Sequence, residues 1–309
     1  MEVRSPAPAT ASLTLHPPAA EGGGSLRATF AEMARELVQH RELLWQMTLR
    51  DVRIRYKQAL MGFGWAVLMP VLIVGAGLLI KFAMTQMAGT GLGSANFAGL
   101  AFKALGWAFF VGAVGFATPS LTSNLNLVTK IYFPREVLPL SAVLTQTFDS
   151  LIGATAVSVV VFLFLGVGLT AQAVWALPLV VLLVLLTAGA CLFLSCANLF
   201  FRDVRYIVQV LLTFGIFFTP VFYDVENLGP TGAAWMMLNP VAVLLEGLRL
   251  ALVEHHNLLV PLAVTTAAGR EVVVWQPWHL LYEGIWALGG CLSAWLLFHK
   301  LESVYAEYI

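Results

Sequence analysis

Charged residues are scarce in this sequence, and their scarcity excludes a soluble globular protein. Of the 309 residues, 11% are charged and 59% are hydrophobic, with a mean hydropathy of +0.83. Soluble domains carry about 25% charged residues, so this chain cannot build a water-facing surface of ordinary composition. One run of 52 residues, from Ser150 to Phe201, contains no Asp, Glu, Lys or Arg. The sequence therefore predicts an integral membrane protein.

Cysteine is also rare, and its placement excludes a disulfide scaffold. The three cysteines all lie inside apolar runs, which favours small buried side chains over metal ligands. The histidines at 255, 256 and 279 are not expected to bind a metal, because adjacent histidines point to different helix faces. Lys plus Arg equals Asp plus Glu at 17 each, which gives no reason to expect a nucleic-acid partner.

A nucleotide-binding motif is missing as well. The sequence has no glycine-rich loop that ends in Lys-Ser or Lys-Thr, the pattern that cradles ATP phosphates. The chain is therefore predicted to be a non-enzymatic membrane subunit with no cofactor of its own. Power for transport must come from a partner or from an ion gradient.

Six apolar runs are predicted to cross a bilayer core of about 30 Å. The segment between the fifth and sixth runs, residues 224–277, is mostly apolar, so we expect it to dip back as short re-entrant helices. The predicted fold class is an all-α integral membrane protein with six transmembrane helices. The runs lie near residues 62–80, 104–123, 138–166, 177–199, 206–223 and 278–298.

Basic residues predict the orientation of these spans. With the amino terminus in the cytoplasm, 13 of the 17 Lys and Arg residues fall on the cytoplasmic side. Both termini are thus predicted to be cytoplasmic, and Lys81, Lys103, Arg249 and Arg270 are left outside. Along the chain we expect a disordered tail over residues 1–28, an interface helix region over 29–60 and the six-span domain over 61–309.

Residues 30–58 form the most informative amphipathic stretch. Apolar side chains follow the spacing of one helical face, Trp45 suits an interface anchor, and Arg50, Arg53 and Lys57 form a basic stripe. Two interpretations stay open. The helix either lies on anionic lipid or provides a docking surface for a cytoplasmic protein.

Several motifs stand in a characteristic order over residues 40–309. LRDVRIRYK at 49–57 precedes GFGWA at 62–66, and NLVTKIYFPREVLPL at 126–140 is the most specific of the set. FRDVRY at 201–206, TPV at 219–221 and NP at 239–240 follow. With these motifs the chain resembles ABC-2-type permeases, and among them the branch that exports O-antigen, capsule polysaccharide and teichoic acid.

The resemblance implies a homodimeric transmembrane half of an ATP-driven exporter. Such a protein moves a lipid-linked or amphiphilic polysaccharide outward across the bacterial plasma (inner) membrane, while ATP and Mg²⁺ bind to two copies of a separate ATPase. The ATPase interface, carried over to matching positions, comprises Arg50, Asp51, Arg53, Tyr56, Lys130, Tyr132, Phe133, Arg135, Glu136, Arg202 and Asp203.

Aromatic side chains suit the lining of a sugar conduit, because their rings stack weakly on sugar rings. Under a simpler interpretation, each of these aromatic residues anchors the protein at the membrane–water interface or faces lipid. The candidate conduit residues are Trp65, Trp107, Phe109, Phe110, Phe217, Phe218 and Tyr223.

Two acids lie within predicted spans, where ionisable groups are functional by default. Glu283 is about 8 Å of helix rise from the outer end and is expected to reach the surface by snorkelling. Asp149 lies deeper, so it is either a proton site or a hydrogen-bonded residue at a helix or dimer interface. If Asp149 is a proton site, the chain would be a proton-coupled carrier. A third alternative is an ABC-2 exporter of a drug or lipid.

Overall fold

The computed structural model describes residues 26–57, 61–62, 64–88, 93–130, 133–266 and 269–308. Most of the predicted amino-terminal tail lies outside these ranges. Its last three residues are helical, since the first helix begins at Leu26. The predicted interface region holds two helices, which meet at His40.

The amino-terminal half of the described chain is helical. Its helices are α1 (Leu26–Gln39), α2 (Arg41–Tyr56), α3 (Gly64–Ala88), α4 (Ser94–Ala117), α5 (Ser120–Ser123), α6 (Leu125–Lys130) and α7 (Val137–Val159), which continues as a π-helical turn over Val160–Phe164.

The carboxyl-terminal half adds shorter elements between its long helices. They are α8 (Ala176–Phe200, after a 3₁₀ turn over Ala171–Trp175), α9 (Val204–Gly215, ending in a 3₁₀ turn over Ile216–Phe218), a 3₁₀ turn over Val225–Leu228, α10 (Gly229–Met236), α11 (Pro240–Leu252), β1 (Leu262–Thr265), β2 (Glu271–Trp275), α12 (Trp278–Gly284), a π-helical turn over Ile285–Gly289, and α13 (Gly290–Tyr308).

Within the described part of the chain, five helices are long and apolar enough to cross a membrane. They confirm a multi-pass helical membrane protein and match five of the six predicted runs. The remaining run corresponds to Val204–Phe218, about 23 Å long, which is short of a bilayer core. The fifth span therefore stays a prediction. The five spans are Gly64–Met87, Ala95–Ala117, Val137–Phe164, Ala171–Phe200 and Trp278–Glu302.

Two expected span boundaries are wrong, because Lys81 and Lys103 lie inside helices and not in loops. Lys81 lies inside α3, and Lys103 lies well inside α4, which begins at Ser94. Both side chains are buried and pair with Asp224, at 2.9 and 3.0 Å from its carboxylate oxygens. A paired ammonium group does not have to reach water, so each helix continues past its lysine.

The all-α prediction missed one antiparallel β-hairpin. Strands β1 and β2 pair Ala263 with Val273 and Thr265 with Glu271. Side chains of β2 alternate between exposed and buried, and Val272 and Val274 point inward. This alternation in a β-branched run is the pattern of a half-buried strand, which the mean hydropathy of the segment does not show.

Two short helices, α10 and α11, occupy the segment in which re-entrant helices were expected. The Asn239 side chain caps α11 by accepting a hydrogen bond from the Val241 amide (3.1 Å), and Pro240 fills the first helical position. Residues 241–251 are all buried, mainly against α4 and α8. The depth of these helices in the membrane stays a prediction.

The bundle has two ends, which carry different structures. The amino-terminal end comprises α1, α2, α5, α6, the loop 133–136 and the turn 201–203. Asn198 of α8 joins this end by donating a hydrogen bond to Thr122 of α5 (3.2 Å), and Phe133 packs there with Phe298 of α13. The hairpin end comprises α10, α11, β1 and β2.

Candidate functional site

Helix α2 presents one face to the bundle and the other outward. Thr48 and Val52, one turn apart, are buried against α7, whereas Arg53 and Lys57 are exposed. Arg50 donates two hydrogen bonds to the neighbouring Asp51, at 2.9 and 2.8 Å. The outward face of α2 therefore carries the exposed positive charges of Arg53 and Lys57.

The inner face of α2 is held to α7 by an ion pair. Arg55 donates hydrogen bonds to Asp149 and to the side-chain carbonyl of Gln146, and Tyr56 donates one to the other oxygen of Asp149 at 2.6 Å. Burial raises the pKa of the Tyr56 phenol above its usual value. Asp149 thus lies at a helix interface with a cation and a hydroxyl as partners. Tyr56 faces α7 rather than the outer surface of α2.

A cavity of about 450 Å³ lies beside this ion pair, between α2, α3, α4 and α7. The guanidinium of Arg55 lies 4.1 Å from the centroid of the Phe116 ring, a cation–π arrangement. Trp65, one of the candidate conduit residues, lines the cavity beside the polar groups of Gln146 and Asp149. Aromatic faces next to planar polar groups suit an amphiphilic or hydroxylated ligand.

The other candidate conduit residues do not line this cavity. Trp107 and Phe109 are buried in the core of the chain, at 7% and 5% exposure. Phe217 and Phe218 are exposed just after α9, and the hydroxyl of Tyr223 donates a hydrogen bond to the Phe217 carbonyl (2.9 Å). Phe110 is partly buried, with its ring centroid 5.8 Å from that of Trp107.

The loop 133–136 is covered by the carboxyl-terminal helix of the same chain. Phe133 is buried, and Glu136 is 0% exposed, with one oxygen accepting a hydrogen bond from the Trp295 indole at 3.2 Å. Burial raises the pKa of Glu136. Half-buried Arg135 donates a hydrogen bond to the Glu302 carbonyl (3.1 Å). Of the other residues assigned to this loop region, the side chain of Lys130 and all of Tyr132 lie outside the described residues.

Arg202 and Asp203 occupy the turn between α8 and α9, and both are exposed. The next turn of chain is fixed, because the Arg205 amide donates a hydrogen bond to the Asn198 side chain (3.2 Å). Of the residues predicted for the ATPase interface, Arg53, Arg202 and Asp203 are thus exposed, and so is Lys57 of the basic stripe.

A buried ion network at the hairpin end was not predicted from the sequence. Asp224 bridges Lys81 of α3 and Lys103 of α4, and Lys103 also donates a hydrogen bond to the Tyr223 carbonyl (2.8 Å). Burial alone would raise the pKa of Asp224, but Lys103 and Lys81 outweigh it and hold the pKa well below its usual value.

The same network continues into α11. Arg249 donates hydrogen bonds to Glu246, one turn earlier, at 2.8 and 2.5 Å, and it pairs with Glu254 at 3.0 Å and Glu226 at 3.6 Å. Burial opposes its charge, yet these carboxylates raise the pKa of Arg249. The i, i+3 pair of Glu246 and Arg249 in an apolar helix was a visible signal, because buried charges occur in pairs.

Glu283 does not reach the surface, so the expectation of snorkelling is wrong. It is 0% exposed, and neither carboxylate oxygen has a hydrogen-bond partner among the described residues. The reason is the face on which it lies. His279, Glu283 and Ala287, at helical spacing, are all buried against the bundle.

Comparison with known proteins places most of these elements in one family. Residues 42–253, from α2 to the end of α11, match the family model described as ABC-2 type transporter. The O-antigen export system permease protein RfbA of Myxococcus xanthus is 30% identical over 249 residues, which cover 79% of this chain and 92% of that protein. A protein of the same name from Klebsiella pneumoniae is 29% identical over 204 residues, 65% of this chain and 76% of its own.

Proposed function

Because the chain belongs to the ABC-2 type transporter family, we propose that it is the membrane subunit of an ATP-driven exporter of polysaccharide. Its substrate is a lipid-linked or amphiphilic glycan of the O-antigen, capsule or teichoic-acid type, moved outward across a bacterial plasma membrane. The names of the similar permeases, which specify O-antigen export, favour a glycan over a drug or a simple lipid.

The observation that carries the mechanism is the attachment of α2 to α7. The Arg55–Asp149 pair and the Tyr56–Asp149 hydrogen bond join a helix at the amino-terminal end to a membrane span. A separate ATPase that binds the outward face of α2 moves α7 with it. ATP and Mg²⁺ bind in that ATPase, and two copies of it serve two copies of this chain.

The docking surface for the ATPase consists of Arg53, Lys57 and Arg202, with Asp203 beside Arg202. These charges are exposed at the same end of the bundle. The Lys and Arg bias supports a cytoplasmic location of this end and of both termini. The hairpin end then faces outward.

Exposed apolar surfaces support a homodimer in the membrane. Leu79 of α3 is 72% exposed, and Leu211 and Phe214 of α9 are 64% and 57% exposed. Lipid or a second copy of the chain covers such surfaces. With α9 at the interface between two copies, Phe217 and Phe218 would meet their counterparts near the axis of the dimer.

A proton-coupled carrier is disfavoured by the surroundings of Asp149. A proton-binding carboxyl has to gain and lose its proton during transport, whereas Asp149 accepts hydrogen bonds from a guanidinium and a phenol. Both oxygens of Asp149 are therefore already engaged as hydrogen-bond acceptors.

Export in proteoliposomes tests the proposal. The chain is reconstituted with its cognate ATPase and a lipid-linked glycan, and translocation is followed with an enzyme or lectin that reaches only one leaflet. We expect translocation to need ATP, to stop when the Walker lysine of the ATPase is replaced, and to survive a proton uncoupler. Translocation that continues with the Walker variant, or stops with the uncoupler alone, would overturn the proposal.

A further inference from the structure

Three potential metal ligands meet where the carboxyl-terminal helix covers the loop 133–136. Glu136 precedes α7, and His299 and Glu302 lie one turn apart on α13. One ligand atom from each residue lies within 4.8 Å of those of the other two. Nδ1 of His299 is 4.0 Å from one carboxylate oxygen of Glu302.

The Glu136 carboxylate has one oxygen engaged by a hydrogen-bond donor, and the Glu302 carboxylate has one oxygen that faces a guanidinium at ion-pair distance. The Trp295 indole donates a hydrogen bond to Oε1 of Glu136, and the Arg135 guanidinium lies 3.9 Å from Oε1 of Glu302. The second oxygen of Glu302 is the one turned towards His299. A donor on the non-ligating oxygen is the usual way in which a protein orients a carboxylate ligand.

Two atoms of this group are buried and lack a hydrogen-bond partner among the described residues. They are Oε2 of Glu136 and Nδ1 of His299. Glu136 is 0% exposed, so its second oxygen cannot be satisfied by bulk water. An ion between the three side chains satisfies both atoms at once.

We propose that Glu136, His299 and Glu302 bind a divalent transition-metal ion, with Zn²⁺ as the best match. One imidazole and two carboxylates are ligands that Zn²⁺ accepts in a tetrahedral site, with water in the fourth position. Metal–ligand bonds are about 2.0–2.2 Å long. The ligand atoms already lie within 4.8 Å of one another, so they need to move closer by only part of that distance.

The ion joins α13 to the loop that connects α6 with α7. This loop carries the most specific family motif and adjoins α7, the span to which α2 is attached. Bound metal would therefore hold the end of α13 against the amino-terminal end of the bundle. The site makes no use of ATP or glycan, so it stands independently of the proposed function.

Metal content of the purified full-length chain tests the proposal. Protein treated with EDTA is titrated with ZnCl₂, and bound zinc is counted by mass spectrometry after desalting. We expect about one Zn²⁺ per chain in the wild type and far less in Glu136→Gln and His299→Gln. Matched controls are Glu42→Gln and His256→Gln, which replace an exposed carboxylate and a half-buried histidine outside the cluster.

Two further measurements keep the test decisive when a buried substitution disturbs folding. Trp295→Phe keeps an aromatic ring at this position but removes the indole N–H, and we expect about 10–100-fold weaker zinc binding. Co²⁺ bound in place of Zn²⁺ should give the visible absorption of a tetrahedral site in the wild type and lose it in Glu302→Gln. Absence of stoichiometric zinc in the wild type would overturn the proposal. Equal zinc in the cluster variants and the controls would mean an adventitious ion only and would overturn it as well.

Discussion

Arg55 on α2 and Asp149 on α7 are 94 positions apart in the sequence, yet they form an ion pair at the amino-terminal end of the bundle. The Asp149 side chain is 9% exposed and that of Arg55 is 23% exposed. A pair buried to this extent fixes the position of α2 against a membrane span. It also explains why an acid persists in an otherwise apolar helix.

Breaking this pair should destabilise the protein. Removal of one partner of a fully buried pair costs about 3–5 kcal/mol, and we expect somewhat less for Asp149→Ala because Arg55 keeps some contact with water. Thermal unfolding in detergent measures the loss. Arg53→Ala, at an exposed position of the same helix, is the control. An unchanged unfolding temperature for Asp149→Ala would contradict the structural role.

Charge reversal on the docking surface should release the ATPase. Arg53→Glu combined with Arg202→Glu replaces two exposed cations, so we expect at least a tenfold loss of co-purified ATPase at low salt. The interaction of the wild type should weaken as salt rises, since exposed charges are screened. Arg270→Glu, an exposed cation at the hairpin end, should leave co-purification unchanged. Full retention of the ATPase by the double variant would contradict the assignment.

The network at the hairpin end should respond to acid. Because the folded-state pKa of Asp224 is lowered, its stabilising contribution is present above the unfolded pKa of about 3.9 and is lost as pH falls below it. Asp224→Asn should therefore be less stable than the wild type at pH 7 and should lose less on acidification. Parallel unfolding curves for the two proteins between pH 7 and pH 3 would contradict this.

Glu283 offers a substitution that should stabilise the protein. A buried carboxyl without a hydrogen-bond partner is unfavourable by about 1–3 kcal/mol, so Glu283→Met should raise the unfolding temperature. Glu271→Met, at an exposed position of β2, is the control. A gain in stability together with a loss of export would show that Glu283 is kept for transport. A lower unfolding temperature would instead mean that the carboxyl has a stabilising partner.

The cavity beside Arg55 can be filled to test its role in export. Ala108→Phe places a ring in the lining of the 450 Å³ space, and we expect a several-fold fall in glycan export with the ATPase still bound. Ala263→Phe, at an exposed position of β1, is the control for the added ring. Export equal to that of the wild type would remove the cavity from the transport path.

The sequence predicted the membrane class and most spans, because apolar length alone determines which helices can cross a bilayer. Helices also lie where they were expected in the amino-terminal region and after α9. These features depend on neighbouring residues in the chain. The resemblance to ABC-2-type permeases was confirmed by the family match over residues 42–253.

The remaining features depend on contacts between distant residues, which a single sequence does not show. The expected span boundary at Lys103 is wrong because its partner, Asp224, is 121 positions away. The interface role of Glu136 stays a prediction, and α13 covers its side chain. In both cases a charged side chain has a protein partner and does not need to reach water.

Asp224 also has a consequence for how related sequences can diverge. One carboxylate pairs with both Lys81 and Lys103, and Glu246, 3.7 Å from Lys103, supplies a second negative charge. Loss of any one of these charges leaves another without compensation in a buried site. We therefore expect the four positions to change together during evolution, with a lineage keeping the full set or replacing it by apolar residues as a group.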